Sequence, residues 1–81
     1  MFAVYILRSL KNKKRYIGYT SKDPLARLKE HNDGHNKWTK TNKPFVIIHT
    51  EKFTEKTSAI KRERFLKSGQ GRKWLDEKVD N

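Results

Sequence analysis

The chain contains no cysteine, so neither a disulfide framework nor a thiolate metal site can stabilise it. It has no apolar run long enough to span a bilayer. Its first apolar stretch, Phe2 to Leu7, follows no basic region and precedes no small-residue cleavage site, both of which a secretory signal requires. We therefore expect no membrane association and a protein that works in the cytoplasm.

Acidic residues are few: nine Asp and Glu stand against twenty Lys and Arg, a formal net charge of +11. A positive field of this strength on a small domain favours nucleic acid, an anionic membrane surface or an acidic protein as partner. Lysines that only keep exposed faces soluble are the alternative explanation. At 81 residues the chain predicts a single domain over 1–81 with one thin core.

The first half of the chain predicts a β-hairpin followed by a helix. Phe2 to Leu7 and Tyr16 to Thr20 are rich in aromatic and β-branched residues and flank a polar turn. Asp23 followed by Pro24 is typical of a helix start, because an aspartate caps the first turn and proline is already fixed at a helical φ. Gly34 is expected to end this helix in a left-handed conformation.

The second half predicts a basic loop over 35–43, a third strand over Phe45 to Thr50, and a second long helix. Thr54 is expected to cap that helix, which reaches Lys67 and is broken by Gly69 and Gly71. A short terminal helix around Trp74 and Leu75 is expected to lie over the core.

The predicted fold class is α/β (α+β), a small three-stranded, mostly antiparallel sheet flanked by helices in the order β-β-α-β-α(-α).

Glu63 occupies an unusual position for an acid. At about 100° per residue, Ala59, Ile60 and Leu66 lie on one side of the second helix, and Glu63 projects between them. A carboxylate on the packed side must be paired, hydrogen-bonded or bound to a cation, because burying it alone is costly. Glu63 is therefore either a functional acid or a structural ion pair, with Arg27 the obvious partner.

Arg27 and His31 are spaced i, i+4 and so share one face of the first helix. Leu25 and Leu28 mark its predicted buried stripe, and the Arg–His pair lies beside that stripe. The pair could line a groove at the helix margin, or it could be a solvated surface pair.

Tyr5 and Tyr16 both lie in predicted strands of the hairpin. They share a face of the sheet only if the two residue numbers in each cross-strand pair add up to an odd value, as when Tyr5 lies opposite Gly18. Gly18 weakens a strand, which suggests a close backbone approach or room for a ligand. The alternative is that the two tyrosines simply cover the sheet.

Trp38 stands among Lys37, Lys40 and Lys43, where it could stack on a base or wedge against the backbone of a nucleic acid. It could equally pin the loop to the core. With Arg27 of the first helix and Lys67 of the second, these residues form the predicted nucleic-acid-binding set.

Together these residues resemble the GIY-YIG nuclease superfamily, specifically its small, single-domain bacterial branch. The first half-motif reads Ala3-Val4-Tyr5, with Ala3 in the place of the glycine, and an intact Tyr16-Ile17-Gly18 follows. Arg27 and His31 come next at the family spacing, and Glu63 falls on the helix that supplies the metal ligand.

The resemblance implies metal-dependent cleavage of a DNA phosphodiester, with Glu63 holding one Mg²⁺ or Mn²⁺. It places Tyr5 and Tyr16 near the attacking water, one of them as the general base. Arg27 would supply positive charge to the phenols and to the transition state. His31 would relay a proton or position the base or the phosphate.

The resemblance covers Phe2 to about Leu75. The asparagine that many enzymatic members carry beyond the metal glutamate has no counterpart between Leu66 and Lys78. The expected activity is structure-selective or weakly sequence-specific cleavage of duplex or branched DNA, with or without a protein partner that supplies specificity. The alternative is a non-catalytic basic module that binds DNA or RNA, for example at the ribosome. The expected location is the bacterial cytoplasm, on the nucleoid if the protein is DNA-bound.

Overall fold

A computed structural model describes residues 1–34 and 36–79, so His35 of the predicted loop lies outside the described residues. The elements are β1 (Phe2–Ser9), β2 (Arg15–Thr20), α1 (Pro24–Asn32), α2 (Lys37–Asn42), β3 (Phe45–Phe53), α3 (Lys56–Lys67) and α4 (Gly69–Lys78). The strands form one antiparallel sheet in the order β2-β1-β3. The predicted α+β class and three-stranded sheet are confirmed. In the described part of the chain no helix is long and apolar enough to cross a membrane.

The central strand β1 is buried on both of its faces, which explains its unbroken run of apolar residues. On one face a core is formed by Val4, Ile6, Ala59, Leu66 and Leu75. On the other face Tyr5 and Leu7 pack against Phe45. Helices α3 and α4 cover the first face and α1 covers the second. As predicted, the terminal helix packs on the core, through Leu75.

Helix α1 begins and ends as the sequence predicts. The Asp23 side chain accepts a hydrogen bond from the second helical residue at 3.0 Å. Pro24 is the first helical residue, and Gly34 has a φ of +77° just beyond the end. The buried side is different from the prediction, because Leu25 is 65% exposed while His31 is 2% exposed. The helix therefore packs through Leu28 and His31.

Helix α2 occupies part of the region predicted to be a loop. The Asn36 side chain accepts a hydrogen bond from the Thr39 backbone N–H at 2.8 Å, and the Thr39 hydroxyl accepts one from the Asn36 N–H at 3.3 Å. This reciprocal cap satisfies two backbone donors and starts the helix. The lysine-rich composition of the segment gives no apolar periodicity from which a helix could be predicted.

The junction between α3 and α4 also differs from the prediction. The residue that precedes α3 is Glu55 rather than Thr54. Ser68, not a glycine, separates the helices, because its hydroxyl accepts a hydrogen bond from the Gly71 N–H at 3.2 Å and caps α4. Gly69 and Gly71 therefore lie in the first turn of α4. A Cβ on Gly71 would lie 2.0 Å from a backbone oxygen of α3, so glycine permits the close contact.

Strand β3 is joined to α3 by a carboxylate, Glu51, that bonds two neighbours. Arg62 donates from Nε to Oε1 at 2.8 Å and from Nη2 to Oε2 at 3.0 Å. The Nε2 atom of His49 lies 2.7 Å from Oε2. The Arg62 guanidinium also lies over the Trp74 ring, 4.6 Å from its centroid, which extends the network to α4.

Candidate active site

The two tyrosines lie on the same face of the sheet, as the site hypothesis requires. Tyr5 pairs with Gly18 and Leu7 pairs with Tyr16, so paired residue numbers sum to an odd value. The Tyr5 and Tyr16 ring centroids are 6.2 Å apart. A Cβ on Gly18 would lie 2.7 Å from the Tyr5 hydroxyl oxygen, so the Tyr5 side chain occupies the space that this glycine leaves.

His31 brings α1 into contact with both tyrosines. Its Nε2 atom lies 3.0 Å from the Tyr5 hydroxyl oxygen, and its ring lies 4.5 Å from that of Tyr16. Tyr5 and His31 are both buried. A solvated surface position is therefore wrong for His31.

Arg27 lies on the same side of the sheet and acts electrostatically on Tyr5. Burial raises the pKa of Tyr5, and the Arg27 guanidinium only partly opposes this shift. The interaction with the Tyr5 hydroxyl is also the main reason why the pKa of Arg27 is raised. The Tyr5 phenol is therefore protonated at neutral pH.

The ion-pair partner of Arg27 is Glu30, with Nη1 lying 3.1 and 3.2 Å from the two carboxylate oxygens. The expected pairing of Arg27 with Glu63 is wrong. Glu63 lies on α3, which covers the opposite face of the sheet, and its Oε1 is 3.6 Å from the Nζ of Lys67. The two acids thus neutralise different cations.

A groove of about 950 Å³ follows β2, an edge strand of the sheet. Tyr16 lines it from the face that carries Tyr5, and Ile17 packs on the core of the other face. The groove is rimmed by the cationic side chains Lys13, Lys14, Arg15, Lys67 and Arg72. Asp76 also lines it and lies 2.9 Å from Arg15. Tyr16, whose ring contacts the buried Tyr5 and His31, therefore lies beside a strongly basic surface.

Trp38 packs against the core, which is one of the two roles that its position suggested, and it also faces the groove. Its ring stacks on Phe45 at 5.6 Å and lies 5.5 Å from the Tyr16 ring, so it pins α2 to the core. It is also 37% exposed and lines the groove. An aromatic face beside cations is suited to a nucleotide base.

The structure divides the predicted nucleic-acid-binding set. Lys67 and Trp38 line the groove. Lys37, Lys40 and Lys43 are exposed around α2 and, like Arg27 of α1, are not part of its lining. The sequence reasoning missed four lining cations, Lys13, Lys14, Arg15 and Arg72. The run of three basic residues directly before Tyr16 was a signal for most of them.

Glu63 fits a magnesium site of the one-carboxylate type. In residues 1–34 and 36–79 no group of three or more acids and histidines could hold an ion by itself. Mg²⁺ needs no such group, because it keeps several waters and takes one or two carboxylates plus phosphate oxygens. The Glu63 side chain is 16% exposed and already holds one cation, the Lys67 ammonium.

The family model of the GIY-YIG catalytic domain matches residues 1–75. The chain belongs to this family.

Relatives of the GIY-YIG protein are similar over most of their length. A UPF0213 protein of Staphylococcus haemolyticus is 39% identical over 66 residues, which are 80% of this chain and 78% of the relative. A UPF0213 protein of Listeria monocytogenes is 44% identical over 64 residues, 78% of this chain and 69% of the relative. The solution NMR structure of a UPF0213 protein from Bacillus halodurans matches with a TM-score of 0.57 at 33% identity, over 95% of this chain and 84% of that one.

The GIY-YIG assignment confirms the resemblance inferred from the motifs. Its two half-motifs lie on β1 and β2, which pair directly. The family supports a nuclease-type function.

Proposed function

We propose that this GIY-YIG domain is a divalent-metal-dependent endonuclease that hydrolyses DNA phosphodiester bonds with structural selectivity or weak sequence specificity. The proposal depends on the position of Tyr16. Its side chain lines the basic groove, and its ring also contacts the buried His31. A phosphodiester held by the groove cations would therefore lie next to the Tyr16 phenol.

The geometry favours Tyr16 over Tyr5 as the general base. Tyr16 is half-buried and lines the groove, so an attacking water can reach its hydroxyl. Tyr5 is buried, its pKa is raised, and its hydroxyl is already bonded to His31. Tyr16 is thus the phenol that both a water molecule and a phosphate held in the groove can approach.

Tyr5 and His31 then act as positioning residues. They are hydrogen-bonded to each other, and their rings both contact the ring of Tyr16 and hold it in place. Arg27 supplies positive charge beside Tyr5 on the same face. Glu63 would hold the Mg²⁺ or Mn²⁺ ion, which when bound stabilises developing negative charge on phosphate oxygens. These roles assign each of the five predicted catalytic residues to the proposed reaction.

DNA would bind along the groove and across the neighbouring lysines of α2. Lys13, Lys14 and Arg72 are exposed and can contact successive phosphates. Phosphate contacts release counterions, so binding is expected to weaken steeply with salt. A protein partner that supplies specificity would have to leave this groove open.

The test is cleavage of labelled duplex, single-stranded, flap and branched DNA with Mg²⁺ or Mn²⁺, with EDTA as the metal-free control. Glu63→Gln should abolish cleavage and leave DNA affinity similar or higher. Glu77→Gln removes the same charge from an exposed position on α4 and should cleave like the wild type. Cleavage that persists in EDTA or in Glu63→Gln would contradict the proposal.

A non-catalytic module that binds DNA or RNA, at the ribosome for example, is the second candidate. The pairing of Glu63 with Lys67 favours it, since that carboxylate is already neutralised by the protein itself. Tight binding by the wild type without cleavage of any substrate in the panel would support this alternative.

A further inference from the structure

Lys67 belongs to two parts of the molecule at once. Its Nζ lies 3.6 Å from Oε1 of Glu63, and its side chain lines the basic groove. The lysine side chain is 54% exposed, whereas that of Glu63 is only 16% exposed. The ammonium can therefore move into the groove, while the carboxylate is held close to the packed side of α3.

We propose that Lys67 exchanges between two anions. In the DNA-free protein it neutralises Glu63, and when DNA enters the groove it moves to a phosphate oxygen and leaves Glu63 available to a divalent cation. This inference rests on the proposed function, because it takes Glu63 as the metal ligand and the groove as the DNA site.

The strength of the ion pair is suited to such an exchange. A pair spaced i, i+4 on a helix with an exposed lysine is weak, so little free energy is lost when it breaks. A divalent cation and an ammonium compete for the same carboxylate and repel each other at short range. Metal and DNA should therefore bind cooperatively, since each favours the state in which Lys67 has left Glu63.

The first experiment measures Mn²⁺ binding to the DNA-free protein from the electron paramagnetic resonance signal of free Mn²⁺. Lys67→Gln should bind Mn²⁺ about two- to threefold more tightly than the wild type, the change expected from removing a weak competing pair. Lys61→Gln, which removes the same charge from an exposed position on the same helix, should bind like the wild type. Lys67→Arg keeps the charge and should also bind like the wild type.

The outcomes separate the two proposals. If Glu63→Gln loses Mn²⁺ binding but Lys67→Gln binds no more tightly than Lys61→Gln, the exchange is overturned and the metal role of Glu63 stands. If Glu63→Gln binds Mn²⁺ as well as the wild type does, the metal role itself fails, and the exchange fails with it.

The second experiment needs neither metal nor activity. DNA affinity is measured in EDTA by fluorescence anisotropy for the wild type, Glu63→Gln, Lys67→Gln and the double variant. Glu63→Gln should tighten DNA binding more when Lys67 is present than when it is replaced, because only then does it release a lysine to the phosphates. Comparing the four proteins as a double-mutant cycle cancels the general effect of removing one negative charge. If Glu63→Gln increased DNA affinity equally with and without Lys67, the ion pair with Glu63 would not be keeping Lys67 from the phosphates, and the exchange would be overturned.

Discussion

The hydroxyl of Tyr5 lies 3.0 Å from Nε2 of His31, and both side chains are buried between the sheet and α1. Tyr16 contacts the same histidine at 4.5 Å between ring centroids but faces the groove. One histidine thus links a tyrosine that solvent cannot reach to one that a substrate can reach. The two phenols should therefore respond differently to removal of their hydroxyls.

Replacement of Tyr16 by phenylalanine should reduce the cleavage rate by about 100-fold or more, the usual contribution of a general base. The melting temperature should change little, because the hydroxyl of Tyr16 is not part of the buried hydrogen bond. Single-turnover cleavage and thermal unfolding of the same preparation are the measurements. Cleavage that remains at the wild-type rate would exclude Tyr16 as the base.

Tyr5→Phe should destabilise the fold, by about 1–3 kcal/mol, because it removes the hydroxyl partner of His31 Nε2 in a buried site. Urea unfolding compares it with Tyr19→Phe, a matched change of a tyrosine that packs on the other face of the sheet. If both variants lose the same small amount of stability, the bond between Tyr5 and His31 does not stabilise the fold.

Glu51→Gln should lower the free energy of unfolding at pH 7 by about 1–3 kcal/mol, since it weakens the bonds with Arg62 and His49. Burial opposes the charged form of Glu51, but these bonds outweigh it and lower its pKa from the ordinary 4.5. A lowered native pKa contributes stability that is present above the unfolded-state pKa and is lost as the pH falls through the native one.

The stability difference between wild type and Glu51→Gln should therefore be constant near neutral pH and shrink on acidification below the ordinary pKa of 4.5. Urea unfolding at several pH values measures it, with Glu77→Gln as the control for a lost exposed acid. If the stability difference grew on acidification instead, its pH dependence would be the reverse of that expected for a lowered pKa. That result would contradict the stabilising role of the Glu51 carboxylate.

Gly71→Ala should destabilise the protein by roughly 1–3 kcal/mol, the usual range for overpacking. The new Cβ would lie 2.0 Å from the Phe65 carbonyl oxygen, so α4 would have to move away from α3. Gly69→Ala is the matched control, because its Cβ would meet no described atom within 4 Å. That control should be neutral or stabilising by about 0.5–1 kcal/mol through helix propensity. Urea denaturation of both variants measures the contrast.

The double variant Lys14→Gln and Arg72→Gln should weaken DNA binding and reduce the slope of log K against log salt by about 1.8, if each residue contacts one phosphate of a duplex. Lys56→Gln with Lys61→Gln removes the same charge from exposed positions on α3 and should leave the slope nearly unchanged. Anisotropy titrations over a range of salt concentrations provide both slopes. Equal slopes for the two double variants would place the DNA elsewhere.

Local sequence signals determined much of the fold. The aspartate–proline start of α1, its glycine end and the apolar runs of β1 and β3 depend on neighbouring residues, and the structure has all of them. The condition for Tyr5 and Tyr16 to share a face could be stated in advance, because side chains alternate along a strand. The resemblance to the GIY-YIG family also came from the sequence, and the family match confirms it.

Contacts between distant segments decided what the sequence could not. Which acid pairs with Arg27 depends on where α3 packs, and the structure places Glu63 beside Lys67 and Glu30 beside Arg27. Helix α1 buries His31, whose Nε2 meets the hydroxyl of Tyr5 from a distant strand, and leaves Leu25 exposed. The groove is assembled from the hairpin turn, α2, α3 and α4, whose proximity no local pattern encodes. The sequence thus determines which chemical groups the chain carries, but tertiary packing determines the partner of each charged group.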